Sequence, residues 1–275
     1  MTGASPRASV PVVIRELATL EEYRACVALQ EEIWGAGFSE RVPVALLRVS
    51  QMLGGVAAAA FDKEGRMLGF VFGLTGIRGG ELVHWSDMLA VLPQYRNQGI
   101  GRQLKQFQRA RVLELGVRLM MWTYDPLVAA NAHFNINVLG ARPVEYVPDM
   151  YGSHTGSALH GNLPTDRLVV AWELERGPMD TLGSAPTIPS LPLIGSPELA
   201  QPKLAPEAPA VGIAIPDDFV GLRIRDSQLA LRWRLAVRSA FQELLSRGYR
   251  VTGFACAQGG VSPHYVLQLG PGGNG

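Results

Sequence analysis

The stretch Leu89-Ala90-Val91-Leu92-Pro93-Gln94-Tyr95-Arg96-Asn97-Gln98-Gly99-Ile100-Gly101-Arg102 leaves a chain few ways to fold. It reads as an apolar strand, a proline at the strand's exit, a turn with two glycines, and the start of a helix. The first N–H groups of a helix have no partner within it, and the helix dipole places partial positive charge there. A phosphate or diphosphate group fits such a place. Gly99 and Gly101 remove side chains that would hold an anion away from the backbone, and Arg96 and Arg102 add charge beside it. The plainer reading of the same residues is a strand-to-helix turn whose glycines serve tight packing. No G-x-G-x-x-G follows a strand, so a nicotinamide-type dinucleotide site is excluded.

With 275 residues the chain has room for one large domain and an accessory piece. A formal net charge of +1 gives no case for bulk nucleic-acid binding. The two cysteines, Cys26 and Cys256, form no C-x-x-C and read as free thiols of a reducing compartment. Residues 1–11 lack an apolar signal core, and the apolar run near Met52–Phe61 is too short and glycine-rich to span a bilayer. A cytoplasmic protein without membrane contact is expected.

Apolar periodicity and capping signals organise the rest. Val12–Leu17 reads as a strand, and Thr19 with Glu22 forms a capping box for a helix running to about Trp34. Pro43–Met52 is a second short helix. Gly55–Asp62 and Met67–Thr75 form a hairpin, and Glu81–Val91 is the strand that feeds the glycine turn. The helix 99–115 carries Ile100, Leu104, Phe107, Ala110 and Leu113 at helical spacing. Strand Arg118–Tyr124, helix Ala129–Leu139, and strands Pro143–Val147 and Leu168–Leu174 follow.

Residues 177–210 hold eight of the nineteen prolines and read as an extended linker without helix or central strand, or as an ordered surface crossing. Residues 211–269 resume as strand, helix, strand, strand, a piece too small to bury both faces alone. It is expected to pack on the first domain or on a second copy of the chain. Residues 1–11 and 270–275 are expected to be disordered tails.

The spacing Arg96-x-x-Gly99-x-Gly101 after a strand ending Val-x-Pro resembles motif A of the GNAT superfamily of acyl-CoA-dependent N-acyltransferases. The order of elements over residues 12–175 is also that of a GNAT domain. The resemblance implies an α/β fold with a mixed central sheet flanked by helices, extended by a small αβ piece. It implies acyl-CoA, with acetyl-CoA the expected donor, bound without a metal. Arg96, Asn97, Gln98, Gly99, Ile100, Gly101 and Arg102 would hold the diphosphate. In the family the preceding strand is bulged and offers its backbone to the pantetheine arm and the thioester carbonyl, which here places Leu89, Ala90 and Val91 at that task.

Asn131-Ala132-His133-Phe134-Asn135-Ile136-Asn137-Val138-Leu139-Gly140 resembles the second family motif, with Asn131 and Phe134 toward the cofactor. Ile136 stands where many members carry a tyrosine that protonates the leaving thiolate. Isoleucine cannot do so, and Tyr124, Asn135 and Asn137 are the alternative donors. The segments Trp122–Leu127 and Pro164–Arg167, and the tail around Trp233-Arg234-Leu235, look like one branch of predicted GNAT acetyltransferases.

Acyl transfer to an amine needs donors for the developing oxyanion, a base for the amine, and a fate for the thiolate. His84 and Asp87, on the strand before the turn, are the candidate bases, and Leu89 offers an oxyanion donor. Each base candidate has a structural reading too: a hydrogen-bonded strand histidine, and an aspartate paired with an arginine. Asp125, Asp166 and Arg167 line either an acceptor pocket or a buried ion pair.

Arg232, Arg234 and Arg238 read as a solvated helix face. His154, His160 and Asp166 lack metal-ligand spacing. The acceptor is expected to be a small amine or amino-acid-like molecule. A CoA-binding regulatory subunit without catalysis is the alternative that Ile136 raises.

Overall fold

The computed structural model describes residues 10–152, 156, 163–175, 191–197 and 208–270. The expected N-terminal and C-terminal tails, most of the proline-rich stretch, and His154 and His160 lie outside the described residues. Among those described, no helix is long and apolar enough to cross a membrane. The chain divides into two compact units, and the division falls between Trp122 and Thr123 rather than at the linker.

The first unit holds β1 (Val13–Glu16), β2 (Val56–Phe61), β3 (Met67–Arg78), β4 (Glu81–Val91) and most of β5 (Leu119–Tyr124), in that order across a mixed sheet. Neighbours are antiparallel except β4 and β5, which run parallel. α1 (Leu20–Trp34) begins at the capping box: Thr19 and Glu22 bond each other's backbone N–H. α1 and α2 (Val44–Met52) cover one face through Cys26, Leu29 and Leu47, packed with Ala57, Ala59, Phe70, Phe72, Met88 and Ala90. α3 (Ile100–Glu114) also packs on β2, β3 and β4. With helices against it, β2 is buried at every residue, which its alanine-rich sequence accommodates.

A bulge in β4 decides which side chains meet which helix. Phe72 pairs with Met88 and Leu74 with Trp85, so Ser86 and Asp87 together oppose Gly73. One extra residue reverses the side-chain alternation of a strand. His84 and Ser86 therefore bond to α3, whereas Met88 and Ala90 lie in the core beneath α1 and α2.

The second unit holds the antiparallel pair β6 (Arg142–Val147) and β7 (Arg167–Glu173), α4 (Ala129–Ala132) and a second sheet. That sheet has the order β10-β11-β9-β8, from β8 (Leu193–Ile194), β9 (Ala210–Ala214), β10 (Tyr249–Ala255) and β11 (His264–Leu269). The two-residue β8 sits at the sheet edge directly after Pro192, where a missing N–H is tolerated. α4 continues as a π-helical segment His133–Val138 where a uniform α-helix was expected. α5 (Phe219–Arg225), capped by Asp218, was not anticipated, and α6 (Ser227–Ser246) starts at Asp226, whose side chain accepts from Leu229 N.

The C-terminal piece finds its packing partner within its own chain. Phe241 of α6 stacks on Tyr146 at 5.0 Å and meets Tyr265 edge-on at 5.1 Å. The Tyr265 hydroxyl donates to Pro126 O at 2.8 Å.

Candidate functional site: an open helix end beside a bulged strand

Pro93–Tyr95 form one 3-10 turn after β4, and the chain then reaches α3 through two left-handed residues, Asn97 (φ 62°) and Gly99 (φ 80°). Glycine is required at 99 by that φ, since a Cβ there would meet nothing within 4 Å. Gly99 is the N-cap of α3 and offers no side-chain bond to the helix. Its carbonyl accepts from Gln103 N at 3.0 Å, and among the described residues no side chain caps the N–H groups of Ile100, Gly101 and Arg102 before it. An uncapped helix N-terminus flanked by exposed Arg96 and Arg102 is suited to an anion. Gln98 is spent on the fold: its Oε1 accepts from Val10 N at 3.2 Å and its Nε2 donates to Gln94 O at 3.4 Å.

β4 brings a second set of donors to the same unit. Leu92 N donates to Leu68 O at 2.9 Å, which fixes the alternation. Met88 and Ala90 turn their backbone groups to β3, and Leu89 and Val91 turn theirs to the opposite edge. On that edge β5 pairs only with Val83, His84 and Trp85. Arg96 Nε takes the Val91 carbonyl at 3.1 Å, which leaves the N–H groups of Leu89 and Val91 facing an edge without a strand. Two expectations are corrected here. The bulge lies at Ser86–Asp87, not at residues 89–91, and Ala90 is committed to β3 and to the core.

The structure separates the two base candidates. His84 is fully buried. Its Nδ1 meets Thr75 Oγ1 at 2.9 Å and its Nε2 meets Gln108 Nε2 at 3.0 Å. Because an amide nitrogen can only donate, Nε2 is the acceptor and Nδ1 carries the proton; the tautomer follows from the network. Burial, with Lys105 nearby, pushes its pKa down to about 3. A neutral imidazole with both nitrogens engaged and no solvent contact cannot receive a substrate's proton, so His84 is a structural histidine.

Asp87 is open to solvent yet set deep among surrounding protein. That desolvation raises its carboxyl above the usual range; a hydrogen bond from the Trp85 side chain partly offsets it, and Glu40 adds to it. An accessible carboxylate with a raised pKa has the properties of a general base.

Beneath the bulge lies a polar network that sequence reading missed. Lys105 is fully buried and has no carboxylate partner among the described residues. Its Nζ donates to Ser86 Oγ at 2.9 Å, Gln108 Oε1 at 3.2 Å and Met120 Sδ at 3.4 Å, and it sits 3.7 Å from the centre of the Trp122 ring. Ser86 Oγ donates to Gln108 Oε1 at 2.8 Å. Burial drives the lysine's pKa well below its ordinary value.

The remaining candidates lie in the second unit. Asn131 is exposed and Phe134 half-buried on the motif helix, and Ile136 is buried. Asn137 Nδ2 bridges His133 Nδ1 at 3.1 Å and Phe254 O at 3.0 Å, a structural use of a candidate donor. The Tyr124 hydroxyl is buried beside Tyr265 without reaching good hydrogen-bond geometry, and burial raises its pKa.

Asp125 accepts a bidentate pair from Arg234 at 2.8 and 2.6 Å, and Asp166 one from Arg238 at 2.9 and 2.6 Å. The expected solvated arginine face is therefore half internal, and only Arg232 remains fully exposed. Burial works to raise Asp125, and the Arg234 guanidinium overrides it and holds the carboxyl below its usual value.

Comparison with known proteins agrees with the motif reading. Residues 54–134 match the family model described as an acetyltransferase (GNAT) domain. No protein of curated function matches the chain. Among solved structures, the ribosomal-protein-S18-alanine N-acetyltransferase of Escherichia coli is 18% identical with a TM-score of 0.45, covering 62% of this chain and 98% of its own. A NatC complex bound to Gag peptide and CoA has 15% identity and a TM-score of 0.47, covering 59% and 98%. NAA60 of Arabidopsis thaliana, in complex with a bisubstrate analogue, has 14% identity and a TM-score of 0.45, also covering 59% and 98%. Residues 54–134, which hold β2 to β5, the open turn and α4, are thus similar to a GNAT acetyltransferase domain.

Proposed function

We propose that the protein is an acyl-CoA-dependent N-acyltransferase that uses acetyl-CoA and acts on a small amine or amino-acid-like acceptor. The observation that carries this reading is the uncapped start of α3 lying directly after the free edge of β4. The N–H groups of residues 100–102, with Arg96 and Arg102, take the diphosphate. The N–H groups of Leu89 and Val91 continue as strand-like partners for the pantetheine arm and as donors to the thioester oxygen. Asn131 and Phe134 are the motif's further candidates for the cofactor.

Asp87 takes the proton of the attacking ammonium, directly or through water. The amine then adds to the thioester carbonyl, the oxyanion draws on the Leu89 N–H, and the carbon–sulfur bond breaks. A thiol's pKa of about 8.5 lets the sulfur leave as thiolate near neutrality and collect its proton from solvent, so Ile136 need not be replaced by another acid. Transfer is direct within a ternary complex.

The test is release of free thiol from acetyl-CoA across pools of amines, combined with two variants. Asp87→Asn is expected to lower kcat by about 10²–10⁴-fold with CoA affinity retained. Wild-type kcat/KM is expected to fall as pH drops through a pKa above the ordinary carboxylate range, because only the ionised Asp87 accepts a proton. Gly101→Glu is expected to lose CoA binding in titration calorimetry while keeping its far-UV circular dichroism. Normal CoA affinity in a folded Gly101→Glu protein would overturn the assignment of the turn. Saturable CoA binding with no turnover on any pool would replace the enzyme by a CoA-binding regulator.

A further inference from the structure

We propose that Lys105 is a positioning residue: acting through Ser86, it holds the β4 bulge in register and so fixes where Asp87 stands. The inference rests on the reading of Asp87 as the base that takes the amine's proton. Lys105 itself is buried away from solvent and acts only through its neighbours.

A bulge leaves its extra residue without a partner in the ladder, so backbone pairing alone does not decide which residue that is. Side chains settle the register, and here they do so from the inner face of β4. Ser86 Oγ accepts from Lys105 Nζ at 2.9 Å and donates to Gln108 Oε1 at 2.8 Å. Lys105 Nζ reaches on to Gln108 Oε1 at 3.2 Å and Met120 Sδ at 3.4 Å, which ties Ser86 to α3 and β5 together. Gln108 extends the same network to His84, and His84 to Thr75 of β3. β4 is thus clamped at His84 and Ser86, the two buried residues just before Asp87, and Asp87 is left exposed.

Stability alone does not call for a lysine in that space. A methionine of similar length would fill it without the penalty of burying an amine. Local choices that cost stability fall at functional sites, and the position of Lys105 says what the function is. It follows residues 100–102, the open end of α3, by about one helical turn. One helix therefore carries both the proposed diphosphate seat and the clamp on the bulge, and the base is held in a fixed relation to the cofactor. The groups that act on the Asp87 carboxyl are the Trp85 side chain, which donates to it, and Glu40 from the segment before α2. Lys105 acts on His84 and is not among them.

The test is a double-mutant cycle of Lys105→Met and Ser86→Ala on the full chain, read on Asp87 itself. Carboxyl 13C NMR would titrate Asp87, its signal assigned by its loss in Asp87→Asn, a readout that needs no acceptor. Wild type is expected to titrate above the ordinary carboxylate range. Lys105→Met should move that pKa back toward the ordinary value, because a relaxed bulge admits water to the carboxyl. Loss of a nearby positive charge would move it the other way, so the sign separates positioning from electrostatics. Ser86→Ala should give the same shift, and the double variant should add nothing to it. In the thiol-release assay Lys105→Met should lower kcat by about 10–100-fold with the KM for acetyl-CoA unchanged, and its acid limb should follow the NMR pKa. An unchanged or higher Asp87 pKa in a folded Lys105→Met or Ser86→Ala protein, or additive shifts in the double variant, would overturn the proposal and leave Asp87 as the base. Wild-type turnover in Asp87→Asn would instead remove the base assignment, whatever Lys105→Met does.

Discussion

Lys105 and His84 show how burial decides chemistry at the scale of one side chain. The interior penalises the proton each would carry in water: it pushes the His84 pKa down to about 3 and drives that of Lys105 well below its ordinary value. The sign of the stability effect follows. Unfolded His84 takes up a proton as pH falls through its ordinary 6.5, whereas the folded side chain resists until about 3. Its contribution is therefore complete above pH 6.5 and is lost progressively between 6.5 and 3, with a full range on the order of 5 kcal/mol. Urea unfolding of wild type and His84→Asn across that window should show the wild-type slope diminished in the variant. Lys105→Met keeps the stem volume and removes the desolvation cost, while Ser86 and Gln108 still bond each other. Its Tm at pH 7 is expected to stay within the equivalent of about 1 kcal/mol of wild type, or to rise.

Single elements were legible in the sequence where local rules govern them, and illegible where polar groups turn inward. The capping box of α1 and the extent of β4 follow from neighbouring residues, and the structure has them where they were expected. The buried face of α3 does not follow. An apolar stripe through Phe107, Ala110 and Leu113 was expected, yet the buried residues after Ile100 and Leu104 are Lys105, Gln108 and Val112. Hydrophobic periodicity counts lysine and glutamine as surface, so a helix that buries a polar network is read rotated about its axis.

The bulge was hidden for a related reason, since only the partner strand shows which residue is extra. Gly73 is its clearest test. A Cβ there would lie 2.6 Å from the Trp85 carbonyl and 2.8 Å from Gln108 Nε2. Gly73→Ala is expected to cost about 2–3 kcal/mol in urea unfolding. By moving Asp87, it should also lower turnover more than CoA affinity.

Across the whole molecule, the division inside β5 overrides the boundary that the prolines suggested. Residues 123–152 and 163–172 belong with the C-terminal piece, tied by Asp125 to Arg234, Asp166 to Arg238, and Tyr146 to Phe241. Breaking one such tie leaves a buried charge alone. Asp125→Ala is expected to destabilise by about 3–5 kcal/mol, far more than loss of a surface pair, as read by the urea midpoint.

The same arrangement bears on how the protein can be handled. Shortening the gene after residue 176 would look like isolating a minimal enzyme, but it would discard the cations that neutralise Asp125 and Asp166 and the aromatic ring that covers Tyr146. Such a fragment is expected to collect in the insoluble fraction, so the last hundred residues are a condition of folding and not an optional appendix.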